Sequence, residues 1–253
     1  MQTIAIIGGT GLTEFEELEI IKRHVQLSTD LGAPSADIIE GILSGTRLLF
    51  LARHGHPHAV APHKINYRAN LLALQQLGAD KIIAVNAVGG IHSDAIAGHI
   101  SIPHQIVDYT QGRENTYFDG IYKDLDHIDF SHPYDDGLRQ NLLAVLASQQ
   151  LENGFSDFGT YGATQGPRLE SIAEIKRLEN DGCDLVGMTG MPEAALAREL
   201  NIPYASICLV VNPAAGKSAS LITMDDIRLV VSSGMSEVKK ILRRFCENMN
   251  PGE

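Results

Sequence analysis

The segment Asp184–Asn212, DLVGMTGMPEAALARELNIPYASICLVVN, constrains the fold of this chain more than any other stretch. It reads as a short strand, a tight polar turn, a helix opened by Pro192 and a second apolar strand. Pro suits a first helical position because its missing N–H would have no helical partner there. Ala194, Ala195, Leu196 and Ala197 favour helix, and Ile202-Pro203 stops it. Tyr204 to Val211 is nearly all apolar, as a strand covered on both faces is. A βαβ unit of this kind predicts strand ends and a helix N-terminus on one rim, where backbone N–H groups can hold an anion. Met188, Thr189, Glu193 and Asn212 are the polar or adaptable groups carried to that rim. The rim is therefore the expected floor of an active site.

The rest of the chain repeats the alternation of buried strands and helices. Thr3–Ile7 is an apolar strand ending in Gly8-Gly9-Thr10-Gly11, a turn that lets a ligand approach closely. It lacks G-x-G-x-x-G and has no following Lys, so neither a dinucleotide nor a P-loop fingerprint applies. Glu40–Leu43 and Thr46–Ala52 form a hairpin around Ser44-Gly45, and the second strand runs into Arg53-His54-Gly55-His56-Pro57-His58. Asn66 caps a helix over Tyr67–Leu77 that Gly78 ends. Lys81–Asn86 is a further buried strand, ending in Ala87-Val88-Gly89-Gly90. Gln105–Tyr109 reads as a strand, and Gly137–Gln150 as a helix. The polar stretch from Gly112 to Pro133 between them has no periodicity, and such loops are commonly functional or interfacial. Thr160–Thr164 leads into Gln165-Gly166-Pro167-Arg168-Leu169-Glu170, after which Ser171 and Glu174 make a capping box for a helix ending at Asn180. The last helix, over Met224–Asn248, is amphipathic through Ile227, Val230, Val231, Val238, Ile241, Leu242 and Phe245. The expected architecture is one α/β domain over residues 1–253, with a central mixed β-sheet flanked by helices.

Charge and cysteines narrow the function. The net charge of −11 comes without any basic run, which excludes a nucleic-acid polymer as partner but leaves room for a small anion met by a few converging donors. Cys183, Cys208 and Cys246 are odd in number and show no C-x-x-C, so they fit packed thiols in a reducing compartment. No basic leader precedes the first strand and no apolar run reaches about 18 residues, so the expectation is a cytoplasmic protein with no membrane partner. Four histidines between positions 54 and 63 raise a metal-dependent hydrolase as an alternative, although no acidic residue completes such a site and Pro57 and Pro62 break its spacing. Arg53 followed by His54 at a strand end suits oxyanion recognition better, because Arg offers a planar fork of donors. Gly216-Lys217-Ser218 resembles the end of a Walker A motif, but Val211 stands where that motif needs Gly.

Taken together, GGTG, ARHGHPH, NYRANLLAL, NAVGG, GPRLES and MTGMPEAALARE resemble the trimeric purine nucleoside phosphorylases, and in particular their methylthioadenosine phosphorylase branch. The likeness covers almost the whole chain in order. It implies the nucleoside phosphorylase fold, a homotrimer or a pair of trimers, and a reaction in which phosphate attacks the anomeric carbon of a nucleoside and the purine departs. It implies no metal or organic cofactor; inorganic phosphate is the co-substrate. By resemblance Thr10, Arg53, His54, Thr189 and the backbone at Ala87 hold phosphate, and Met188 packs on the sugar. Leu169, Glu170, Asn212, Pro213 and Ala214 surround the purine, with Asn212 and Glu170 as the catalytic pair.

The base pocket departs from the methylthioadenosine branch, which has Asp where this chain has Asn212 and a second Asp where it has Ala214. Asn212 carries a donor and an acceptor and so matches N7 and O6 of a 6-oxopurine. Glu170 matches the Glu of inosine- and guanosine-cleaving relatives. The sugar pocket points the other way, since inosine-cleaving relatives place a His where this chain aligns Met224, which suits a 5′-methylthio group. His127, in the loop that family trimers lend to a neighbour, is expected to help close that pocket. The implied substrate is 5′-methylthioinosine. Inosine/guanosine phosphorylase and methylthioadenosine phosphorylase stand as alternatives, and a non-catalytic nucleoside-binding protein as the bland reading.

Overall fold

A computed structural model describes residues 2–12, 15, 17–219 and 222–249 of the chain. Strand β1 (Thr3–Gly8) is buried along its whole length because its side chains alternate between two apolar layers. Strand β2 (Glu19–His24) pairs antiparallel with β3 (Ile38–Leu43), which turns into β4 (Thr46–Ala52) through Ser44-Gly45, both at positive φ. Helix α1 (Tyr67–Gln76) starts where the Asn66 side chain accepts from the Ala69 N–H, and leads to β5 (Lys81–Gly90). Two short strands follow, β6 (Ile100–Ser101) and β7 (Gln105–Asp108). After the long loop come α2 (Asp136–Ala147), β8 (Phe155–Ser156), β9 (Thr160–Ala163) and α3 (Ile172–Asn180), the last opened by the Ser171–Glu174 capping box. The chain closes with β10 (Leu185–Gly187), α4 (Gly190–Glu199), β11 (Tyr204–Pro213) and α5 (Met224–Met249).

Among the described residues, eleven strands form one mixed sheet, as expected of the α/β class. Ala5 and Ile7 face a layer that includes Leu71 and Leu74 of α1 with Ala194 and Leu196 of α4. Ile4 and Ile6 face the other layer, with Leu138 and Leu142 of α2 and Val238, Leu242 and Phe245 of α5. Each buried Leu, Ile, Val or Phe among them contributes roughly 1.5–3 kcal/mol on leaving water. No helix among the described residues is long and apolar enough to cross a membrane.

Several features differ from the sequence reading. β5 runs on through Gly89 and Gly90 rather than stopping at Asn86, because β11 pairs with it over that whole length. α2 begins at Asp136 and ends at Ala147, since Asp135 accepts from the Leu138 N–H and caps it earlier than Gly137. β2 carries consecutive exposed residues with no alternation, and it was not legible as a strand. The larger correction concerns Asp184–Asn212. β10 pairs parallel with β9 and antiparallel with β5, whereas β11 pairs parallel with β5. The two strands flanking α4 therefore run in opposite senses, and the segment is not a parallel βαβ unit.

That arrangement opens a gap in the sheet. β1 pairs with β5 only as far as Ala84, and β10 reaches β5 only at Gly89 and Gly90. Between those points one edge of β5 has no strand partner in the register. The ends of β1, β4 and β11 converge there, and a bulge between Val210 and Asn212 breaks the alternation of β11 just before Asn212. Bulges commonly re-aim side chains at sites.

Candidate active site

A cavity of about 450 Å³ sits over this gap, bounded by the ends of β1, β4, β5, β10 and β11 and by the first turn of α5. Its floor holds Gly9, Thr10, Arg53, His54, Ala87 and Thr189. Gly9 is required by close approach: a Cβ there would stand 2.5 Å from the Val85 carbonyl oxygen and 3.0 Å from Arg53 Nη1. The Val85 carbonyl lies on the unpaired edge of β5, where it accepts from Arg53 Nη1 at 3.0 Å. By strand alternation the backbone groups of Ala87 lie on the same edge.

Arg53 is fully buried. Its Nε donates to Glu193 Oε2 at 2.7 Å and its Nη2 to Glu193 Oε1 at 2.8 Å. Burial opposes its charge, but the adjacent Glu193 carboxylate outweighs that and holds it protonated. Glu193 is thus not a rim group as the sequence reading had it; it lies beneath the floor at 0% exposure.

Thr189 is the end of a directional chain. Ser206 Oγ donates to Asn86 Oδ1 at 2.7 Å, and Asn86 Nδ2 donates to Thr189 Oγ1 at 2.8 Å. With its oxygen already accepting, the Thr189 hydroxyl is set up to donate its own proton. The backbone N–H groups of Thr189 and Gly190, expected to hold an anion, instead donate to the Tyr161 hydroxyl at 3.3 Å each. A side chain at Gly187 would collide with that hydroxyl, so the glycine is what admits it. The α4 end is therefore already plugged, and Met191 breaks the helical backbone angles within its first turn.

His54 has its pKa lowered from 6.5 to about 4, first by burial and then by the Arg53 charge. Its Nδ1 lies 2.9 Å from the Val60 carbonyl, which can only accept, so Nδ1 carries the proton in the neutral ring. His58, which the sequence reading left unassigned, stacks on His54 with ring centroids 4.4 Å apart and also lines the cavity. Among the described residues no three His, Cys, Asp or Glu side chains converge as a metal site requires.

The upper wall combines Leu169, Glu170, Asn212 and Ala214. Thr164 Oγ1 donates to Glu170 Oε1 at 2.6 Å. Asn212 Nδ2 donates to the Pro213 carbonyl at 2.7 Å, which leaves the amide oxygen and one N–H. Pro213 itself does not line the cavity. Met188 lies between floor and wall, and Met224, Ile222 and Ile227 make an apolar side. His127 is exposed on the loop after Ile121 and does not reach the cavity of its own chain.

Arg113 ties these parts together. It donates to the carbonyls of Met188 at 2.9 Å, Met191 at 2.6 Å and Gln165 at 2.9 Å, and its guanidinium sits 5.5 Å from the Tyr67 ring centroid. Nothing in the sequence but its place in a long polar loop marked it.

Comparison with known proteins adds an independent line. A family model described as "Phosphorylase superfamily" matches residues 3–247. A probable S-methyl-5′-thioinosine phosphorylase from Pseudomonas syringae pv. tomato is 56% identical over 244 residues, which is 96% of this chain and 98% of that protein. A 6-oxopurine nucleoside phosphorylase from Pyrococcus furiosus is 38% identical over 247 residues, covering 96% and 91%. The solved structure of methylthioadenosine phosphorylase from Schistosoma mansoni with adenine superposes with a TM-score of 0.93 at 28% identity, covering 100% of this chain and 93% of that one.

Proposed function

The chain belongs to the phosphorylase superfamily and is an enzyme of the purine nucleoside phosphorylase type, and from that premise we propose that it cleaves S-methyl-5′-thioinosine with phosphate to hypoxanthine and 5-methylthioribose 1-phosphate. The observation that carries this reading is one cavity joining an oxyanion floor, an Asn/Glu wall and an apolar side. Phosphate meets Thr10, Arg53, His54, Thr189 and the Ala87 backbone. The C1′–N9 bond breaks as a phosphate oxygen bonds C1′, and the electron pair goes to the purine. Asn212 and Glu170 stabilise that purine as charge collects on it, which is where differential binding lowers the barrier. The apolar Met224, Ile222 and Ile227 offer no partner to a 5′-hydroxyl and suit a methylthio group.

The reaction in this reading needs no metal or organic cofactor. The working form is a homotrimer in the cytoplasm, in which the exposed loop carrying Ile121, Leu125 and His127 meets a neighbouring copy; Ile121 and Leu125 are 93% and 73% exposed in the single chain. The name of the Pseudomonas syringae relative supports the same substrate. The test is cleavage of 5′-methylthioinosine, inosine, 5′-methylthioadenosine and adenosine side by side, with and without phosphate. Clear preference for methylthioinosine supports both pocket arguments. Equal turnover of inosine removes Met224 from the 5′ discrimination, and preference for methylthioadenosine removes the Asn212 and Glu170 argument.

A further inference from the structure

We infer that Glu193 is a positioning residue that sets both the orientation and the effective charge of Arg53 toward phosphate, an inference that rests on the phosphorolysis reading above. The two side chains come from positions 140 apart, and both are 0% exposed. Their contact is side-on and bidentate, the geometry that fixes a guanidinium plane most firmly. The Tyr204 hydroxyl donates to Glu193 Oε1 at 2.9 Å, so the carboxylate is itself held from β11. Nη1 is committed to Val85 on β5, and Gly9, just after β1, leaves it room, since a Cβ there would stand 3.0 Å from Nη1. Among the described residues this leaves one N–H on Nη1 and one on Nη2, a two-donor fork at the cavity floor.

The carboxylate also cancels the guanidinium charge before any ligand arrives. Phosphate must be held and still attack. A bare buried cation would bind ground-state phosphate more tightly and make it a poorer nucleophile, which is binding without transition-state gain. A neutralised Arg offers directional hydrogen bonds with little added field. Glu193 thus tunes the phosphate site from below without touching phosphate.

The experiment is steady-state kinetics on the full chain, varying phosphate and nucleoside separately, for the wild type, Glu193→Gln and Tyr204→Phe. Glu193→Gln keeps the volume and one of the two acceptors toward Arg53 but removes the counter-charge, so loss of charge cancellation should dominate: the phosphate KM should fall about fivefold and kcat about tenfold, with the nucleoside KM unchanged. Tyr204→Phe leaves the carboxylate charge less dispersed, so it should hold Arg53 harder and raise the phosphate KM about twofold. Shifts of opposite sign in the two variants support the inference, because structural damage moves both the same way. Phosphate KM rising in both, or unchanged in both, overturns it. Should Glu193→Gln not fold, an unchanged phosphate KM in Tyr204→Phe overturns it alone, and a rise confined to phosphate supports it. A wild type that cleaves nucleosides without phosphate overturns the phosphorolysis reading instead, and the inference with it.

Discussion

Thr164 donates its hydroxyl to Glu170 Oε1 across 2.6 Å, and this bond decides what Glu170 can offer a purine. A carboxylate with one oxygen already accepting from a fixed donor presents the other as a single oriented acceptor. That is the group needed by the protonated ring nitrogen of a 6-oxopurine, and it has no use for the bare nitrogen of a 6-aminopurine. Thr164 directly follows β9, whose register against β10 keeps it beside Gly187 and the cavity. On the proposed reading, selectivity is built one residue behind the wall that would meet the base.

Thr164→Val keeps the volume and removes the donor. Glu170 should then lose its fixed orientation, and kcat/KM for 6-oxopurine nucleosides should fall about tenfold while phosphate KM stays put. Competition assays between methylthioinosine and methylthioadenosine check this. Unchanged selectivity would detach Thr164 from base recognition.

Asn212→Asp tests the other half of the wall. The carboxylate cannot donate and would face O6 as a second acceptor, an unpaired arrangement that sites reject strongly. The ratio of 6-oxo to 6-amino turnover should drop by at least about tenfold. The Pro213 carbonyl also loses its donor at 2.7 Å, so a modest fall in thermal stability should accompany the switch. A variant with wild-type selectivity would remove Asn212 from the discriminating role.

These groups differ in how far the sequence disclosed them. The strand ends were legible because apolar runs stop at Gly8, Ala52 and Asn212, and the caps because Asn66 and Ser171 precede helical patterns. Arg53, Thr189, Glu170 and Met224 fall in one cavity. What could not be read was anything set by long-range pairing. The antiparallel run of β10 against β5, the Tyr161 hydroxyl occupying the α4 N–H groups, and the Ser206–Asn86–Thr189 chain each join segments far apart in sequence. Glu193 was misplaced for the same reason: its periodicity marks a helix, but only the packed structure puts Arg53 against it.

Arg113→Ala should damage stability and catalysis together. The side chain satisfies the carbonyls of Thr164, Gln165, Met188 and Met191, which lie in or beside the segments that line the cavity. Deleting it leaves partly buried acceptors unpaired, at a cost of about 2–4 kcal/mol. Urea unfolding should show that loss, and the nucleoside KM should rise more than the phosphate KM. Arg113→Lys should recover little, because one ammonium cannot span the fork. A variant as stable as wild type would show that the loop holds itself without the clamp.

The last expectation concerns acid. His54 ionises near 6.5 in an open chain and at about 4 in the fold, lowered by burial and by Arg53. Between those values the unfolded chain binds a proton that the folded chain refuses, so stability rises with pH across the interval. The contribution is complete above about 6.5 and is lost as pH falls toward 4, amounting to about 3 kcal/mol at most. Urea unfolding from pH 7 down to pH 4 should therefore show a slope that His54→Gln flattens, since Gln can donate to the Val60 carbonyl in place of Nδ1 without taking a proton. Phosphate works in the opposite direction on the same group. A bound dianion beside His54 favours the imidazolium, so saturating phosphate should shift the onset of acid destabilisation in the wild type and leave the variant's unchanged. If the slope persists in His54→Gln, another group carries the acid sensitivity and His54 is not the titrating residue of the phosphate floor.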